Sequence, residues 1–173
     1  MRPLATRNLL IMATALSGLL AGFNLDRSLV HNAAWHRLGA SAWAAYSLNA
    51  DLSIRAALLY PFLGIGVALL SVAAMLSYRR EPFEPGLAAL PTYGGALLAV
   101  SGLLMTFLAG PHMLSVPRLI NDPAGLQRAL DGFVFWGDIR GALQALAFVA
   151  NLAALAILLA RKPGTEIAAM PGV

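Results

Sequence analysis

The sequence predicts an all-α fold: four transmembrane helices in an up-down-up-down bundle, with two long extracytoplasmic loops that carry short interfacial helices. Three observations predict it. The 173 residues are 59% hydrophobic and only 12% charged, where a soluble domain is about a quarter charged. Four apolar stretches each reach the roughly 20 residues that a membrane crossing needs. Polar chemistry is also segregated. Every aspartate (Asp26, Asp51, Asp122, Asp131, Asp138), histidine (His31, His36, His112) and tryptophan (Trp35, Trp43, Trp136) lies in or beside two of the links, while Glu81, Glu84 and Glu166 lie elsewhere.

The spans run at about 9–30, 54–78, 87–110 and 139–160, within one domain of residues 1–162. The first is too long for the apolar region of a signal peptide, and no small-x-small cleavage site follows it. The second and third are joined by the short link 79–86, which holds Pro82 and Pro85, so they are antiparallel neighbours. The links 26–53 and 112–138 are long. Loops of that size without structure of their own are uncommon in compact domains. Helical spacing over 39–52 and over 124–135, the latter after Asp122-Pro123, predicts a short interfacial helix in each. Their tryptophans suit the headgroup level. The tail 163–173 is small and apolar apart from Glu166 and is read as disordered.

Arg2 and Arg7, Arg79 and Arg80, and Arg161 and Lys162 flank the same side of the spans, which places both termini in the cytoplasm. Alanine is abundant and arginine far outnumbers lysine, which points to a bacterial inner membrane. The formal charge of +4 does not imply nucleic-acid binding, because the basic residues flank apolar segments. The expected partners are the lipid bilayer and a small hydrophobic molecule. Glycine-rich faces such as Gly18 with Gly22 favour close helix packing and leave room for a homo-oligomer. The absence of cysteine excludes disulfides, thiol nucleophiles, cysteine-ligated zinc and iron–sulfur clusters.

A polar cluster gathers at one mouth of the predicted bundle. Asn24, Arg27, Ser28, His31 and Trp35 recur at spacings of three or four. Asp51 and Arg55 are one turn apart and can pair. Asp138 and Arg140 form a second such couple. On the third span Ser101, Met105, Leu108 and His112 share a face, with Pro111 closing the helix. Arg140, Gln144 and Asn151 form a stripe toward mid-membrane. Each residue admits a structural role, as a helix-end ion pair or an interhelical hydrogen bond. The cluster as a whole points to function, because ionisable groups within a bilayer are costly.

No helical metal-site spacing is present. His31 and His36 are five apart, off the i, i+4 register. A haem or copper site would need His31 and His112 to converge, with Met105 or Met113 as a soft ligand. Acid–base chemistry needs no cofactor, and none is predicted. His31 or His112 beside Asp51 or Asp138 can take a proton, and Arg27, Arg55 or Arg140 can hold the resulting oxyanion. No G-x-S-x-G motif supports a serine nucleophile.

Three segments resemble a known family. Gly18-Leu-Leu-Ala-Gly22-Phe23-Asn24, Val116-Pro117-Arg118-Leu119-Ile120-Asn121, and Phe135-Trp136-Gly137-Asp138-Ile139-Arg140 are similar to segments of the DUF1772 family, which includes the anthrone oxygenase-like integral membrane proteins. The chain departs from that pattern in Pro-Arg-Leu-Ile-Asn and at Asp138, where an amide or histidine is usual. The resemblance implies cofactor-independent oxidation of an activated aromatic C–H, with Trp136, Asp138 and Arg140 at the matching positions. The expected catalytic residues are therefore His31, Asp51, His112 and Asp138. The expected substrate contacts are Asn24, Arg27, Trp35, Arg55, Trp136, Arg140 and Gln144. Two other classes remain open: a non-catalytic membrane protein binding a lipid, ligand or partner subunit, and a haem or copper redox protein.

Overall fold

A computed structural model describes residues 3–80 and 86–160. Arg2, most of the second-to-third link with Glu81, Pro82, Glu84 and Pro85, the Arg161–Lys162 pair and the tail 163–173 lie outside the described residues. The described residues are almost all helical, without a strand. Four helices are long and apolar enough to cross a membrane.

Helix α1 (Pro3–Asp26) runs without a break through a π-helical turn (Arg27–His31) into α2 (Asn32–Leu38). Gly39 stops this rod. Its φ of 90° is a conformation that glycine alone adopts readily, and it redirects the chain into α3 (Ala40–Asn49). Ser53 then caps α4 (Ile54–Arg79), its hydroxyl accepting from the Ala56 amide at 3.4 Å. Helix α5 (Ala89–Ser115) ends in a 3₁₀ turn, Val116–Arg118. Asp122 begins α6 (Pro123–Ala160) by accepting from the Gly125 amide at 2.9 Å, with Pro123 in the first turn, where its missing N–H costs nothing.

The four long helices close a ring in which α1 packs on α4 and α6, and α5 packs on α4 and α6. Neighbours run antiparallel. Thr6 near the start of α1 bonds Ser77 near the end of α4 at 2.7 Å, whereas Asn24 at the far end of α1 bonds Gln144 of α6 at 2.6 Å. With Phe23 against Tyr60, Ser28 bonded to Asp138, Tyr78 against Tyr93, Gly64 near Leu103, Gly102 near Gln144 and His112 against Gly132, residue order reverses across each neighbouring pair, which is an up-down-up-down arrangement. Small residues set the spacing where sequence placed them, but only in part. A Cβ on Gly102 would stand 2.9 Å from Gln144 Cγ, and one on Gly18 would stand 3.0 Å from the Phe148 ring. Gly22, the other half of that motif, faces open space.

Two expectations about the links are corrected. Only the first link carries a separate short helix, α3. In the second, the turns expected as an interfacial helix over 124–135 are the beginning of α6, which continues for 38 residues. At 1.5 Å per residue it is about 57 Å long, against about 30 Å of hydrocarbon. Nor does Pro111 close α5, which continues to Ser115. A proline removes one helix hydrogen bond, and the turn beyond it buries Met113 and Val116 in compensation.

What these extensions build is a cap. Trp35 from α2, Ala40, Trp43 and Ala44 from α3, Ala109 and Met113 from α5, Val116, and Leu126, Leu130 and Phe133 from α6 form one continuous apolar cluster. It is separate from the bundle clusters around Leu20, Leu63 and Val67 and around Leu10, Ala74 and Ala154. The cap therefore has its own core, and the charged groups lie at its junction with the bundle.

Candidate functional site

Arg27 is the centre of this junction. It is the first residue of the π turn, and both its terminal nitrogens donate to the Asp51 carboxylate, Nη1 to Oδ2 at 3.3 Å and Nη2 to Oδ1. Aromatic rings surround the guanidinium: its carbon lies 5.4 Å from the Phe133 centroid, 5.7 Å from Trp35 and 5.8 Å from Tyr60. A planar guanidinium can stack on rings while forking onto a carboxylate, which an ammonium cannot. The pairing of Asp51 with Arg55 expected from sequence does not form. Asp51 precedes the Ser53 cap and so is not on α4, and Arg55 faces outward.

The π turn has a second effect. Its wider winding brings residues five apart onto one face, and His31 Nδ1 meets Asp26 Oδ2 at 3.2 Å. The imidazole is held between Trp35 and Tyr46, at 5.8 and 5.7 Å between centroids. The contact is between exposed side chains and is not a hydrogen bond, and His31 Nε2 has no partner among the described residues. Burial, and then the charge of Asp51, raise the Tyr46 phenol above its ordinary pKa, so it remains protonated beside His31.

On the α6 side, Asp138 accepts from Ser28 Oγ at 2.7 Å and Asn32 Nδ2 at 3.0 Å. It makes no ion pair with Arg140; the two are two residues apart on a helix and point in different directions. Arg140 is half-buried within electrostatic reach of Arg27, Asp51, Tyr60 and Asp138, yet has no hydrogen bond or ion pair among the described residues. One turn deeper, Gln144 accepts from Asn24, whose amide also donates to the Leu20 carbonyl at 2.7 Å. Asn151, deeper still, donates to Ser71 at 3.1 Å. The stripe read from sequence thus exists, but each of its members has a different partner.

The remaining candidates separate from this group. The His112 ring lies flat against Gly132, where a Cβ would meet its nitrogens at 2.6 Å. Trp136 is half-buried, edge-on to Phe135 at 5.0 Å on the flank of the cap. No set of three or more metal-capable side chains is present among the described residues. A cavity of about 600 Å³ lies at the opposite end of the bundle, between Ala5, Ala73, Leu76, Ser77 and Arg80.

Sequence reasoning missed Asp26, Tyr46, Tyr60 and Phe133 as parts of the site, and the roles of Ser28 and Asn32 in holding Asp138. Among the described residues, three buried polar atoms around the cap lack partners: Trp43 Nε1, Ser47 Oγ and Asn32 Oδ1. Comparison with known proteins finds no protein family, no curated protein and no solved structure that matches the chain.

Proposed function

We propose that this chain is an integral membrane enzyme of the anthrone oxygenase-like type, lying in a bacterial inner membrane with both termini cytoplasmic, that oxidises a small hydrophobic aromatic substrate at the cap–bundle junction. The observation that supports this reading most is the Asp26–His31 pair beside the ring-walled Arg27–Asp51 ion pair. Asp26 lies against His31 Nδ1, and His31 Nε2 is the base. Arg140, which has no ion pair among the described residues, takes the developing enolate or phenolate oxygen. Tyr60, exposed beside Arg27, gives an aromatic substrate a ring to pack on.

The chemistry closes without a cofactor. His31 removes a proton from an activated ring CH₂. The carbanion reduces dioxygen, and the C–H carbon becomes a hydroperoxide on reprotonation. Loss of water then breaks the O–O bond and leaves a ketone, so that one O₂ is consumed per carbonyl formed and one water is released. Asp51 acts on Arg27 alone, and Asp138 on the α1–α6 contact.

The test is oxygen uptake by the purified protein with an anthrone, read against quinone formation. Uptake of one O₂ per quinone that disappears in His31→Ala supports the enzyme; turnover unchanged by that substitution removes it. Metal analysis and a visible spectrum of the same sample test the haem or copper alternative. One observation favours a second, non-catalytic reading. The cavity between Ala5, Ala73 and Ser77 is remote from His31, as expected if the chain binds a lipid or a partner subunit at its other end.

A further inference from the structure

The groove at the end of the bundle remote from His31 has its polar and apolar groups in order. Ala73, Leu76, Ser77 and Arg80 stand at i, i+3, i+4 and i+7, so they lie on one face of α4 and its C-cap, and Ala5 of α1 closes the other side. The recess of about 600 Å³ therefore runs about 10 Å along α4, from a wall of alanine and leucine to a guanidinium. The small side chains of Ala5 and Ala73 make the room. Thr6 donates to Ser77 Oγ at 2.7 Å, which leaves the Ser77 hydrogen to turn into the cavity.

The same face continues as an apolar stripe. Leu69 and Ile65, one and two turns deeper than Ala73, are both exposed, so the groove opens onto lipid rather than into the core. Charge then selects what lies in it. The segments on this side of the spans carry Arg2, Arg7, Arg79, Arg80, Arg161 and Lys162 against Glu81, Glu84 and Glu166, so the end is positive even with every glutamate counted. A mouth of guanidinium and hydroxyl fits a phosphate. The exposed stripe that leads away from it fits an acyl chain. Basic residues beside a membrane span attract anionic lipid for the same reason.

We infer that this groove is a binding site for an anionic phospholipid, with the headgroup phosphate on Arg80 and Ser77 and one acyl chain along Leu69 and Ile65. This rests on the lipid reading of the cavity and deepens it, and it stands apart from the chemistry at His31. The groove takes the phosphate, the glycerol and the first methylenes, and the rest of the lipid stays in the bilayer. A phosphatidylcholine is the poorer ligand, because its trimethylammonium meets the excess positive charge of this end.

The experiment titrates the full-length, delipidated protein in detergent with dioleoyl phosphatidylglycerol, dioleoyl phosphatidylcholine or inorganic phosphate. The readouts are native mass spectrometry and thermal unfolding. The expected result is phosphatidylglycerol binding at least about fivefold tighter than phosphatidylcholine, the ratio that one basic residue at a charged headgroup supports. Inorganic phosphate alone adds no stability. Arg80→Gln removes the preference. Arg79→Gln, on the same turn but outside the groove, keeps it, and Ala73→Leu, which fills the recess, weakens both lipids. Equal loss in Arg79→Gln and Arg80→Gln assigns the preference to diffuse charge and overturns the site. Stabilisation by inorganic phosphate equal to that by phosphatidylglycerol also overturns it, in favour of a free anion. Equal binding of the two lipids, both weakened by Ala73→Leu, overturns the anionic headgroup and leaves a lipid groove. Lipid binding indifferent to Ala73→Leu and Arg80→Gln removes the lipid reading of the cavity itself. Arg80 is exposed at a helix end, so its variant decides the matter even if Ala73→Leu fails to fold. Oxygen uptake at His31 is scored separately and is untouched by any of these outcomes.

Discussion

Asp26 and His31 are five residues apart and face each other at 3.2 Å because the helix between them is wound to the π pitch. In a regular α-helix they would diverge by more than a quarter turn. Asp26→Asn preserves the shape but removes the carboxylate that meets His31 Nδ1. If His31 is the base, oxygen uptake falls at least about tenfold while substrate affinity is unchanged. Equal loss in Asp26→Asn and in its neighbour Leu25→Asn would show that only helix packing was disturbed.

The Arg27–Asp51 pair is largely enclosed, with side-chain exposures of 16% and 7%. Removing one partner leaves a buried charge, so Asp51→Asn is expected to destabilise the protein by about 3 kcal/mol. Thermal unfolding in detergent would show it. Arg27→Met combined with Asp51→Leu should recover part of that loss, because neither charge then remains. Arg27→Lys should not, since an ammonium cannot both fork onto the carboxylate and stack between Trp35, Tyr60 and Phe133.

His112 gains its position from a missing side chain. Gly132→Ala places a methyl where the imidazole nitrogens now lie, at 2.6 Å, so the ring must move. The expected cost is about 1–3 kcal/mol, relieved when His112 is also reduced to Ala. A double variant that recovers stability and turnover would assign His112 to packing. Recovery of stability without turnover would return it to the chemistry.

Tyr46 gives a prediction in pH. Its phenol is raised above the ordinary 10.0, by burial first and by Asp51 second. The folded protein holds this proton more tightly than the unfolded chain. The resulting stabilisation is present below pH 10 and is lost as pH rises through the folded value. In an ultraviolet titration, Tyr46→Phe should remove a late-ionising component, and Asp51→Asn should move that component to lower pH.

Much of the fold is legible in the sequence because it rests on composition. The four spans and the gathering of aspartate, histidine and tryptophan at one end need only the cost of charge in lipid. Partner choice is less legible. Asp51 and Arg55 have the spacing of a helical pair, but Ser53 begins the helix between them, and a residue 24 positions away takes the carboxylate. The length of α6 was hidden because Asp131, Asp138 and four glycines between 125 and 141 read as a break, whereas the glycines let His112 and Asn24 approach. The π turn leaves no signature in Arg27-Ser-Leu-Val-His31, and with it the Asp26 contact was unreadable.

The single unbroken α6 ties events in the cap to the thickness of the bilayer. Phe133, Asp138, Arg140, Gln144 and Asn151 all stand on this helix, with no proline between Ala124 and Ala160 to act as a joint. A transmembrane helix responds to a thinner or thicker membrane by tilting. A change in acyl-chain length is therefore expected to reach the Phe133 ring and the Arg140 guanidinium together, because both ride on this one helix.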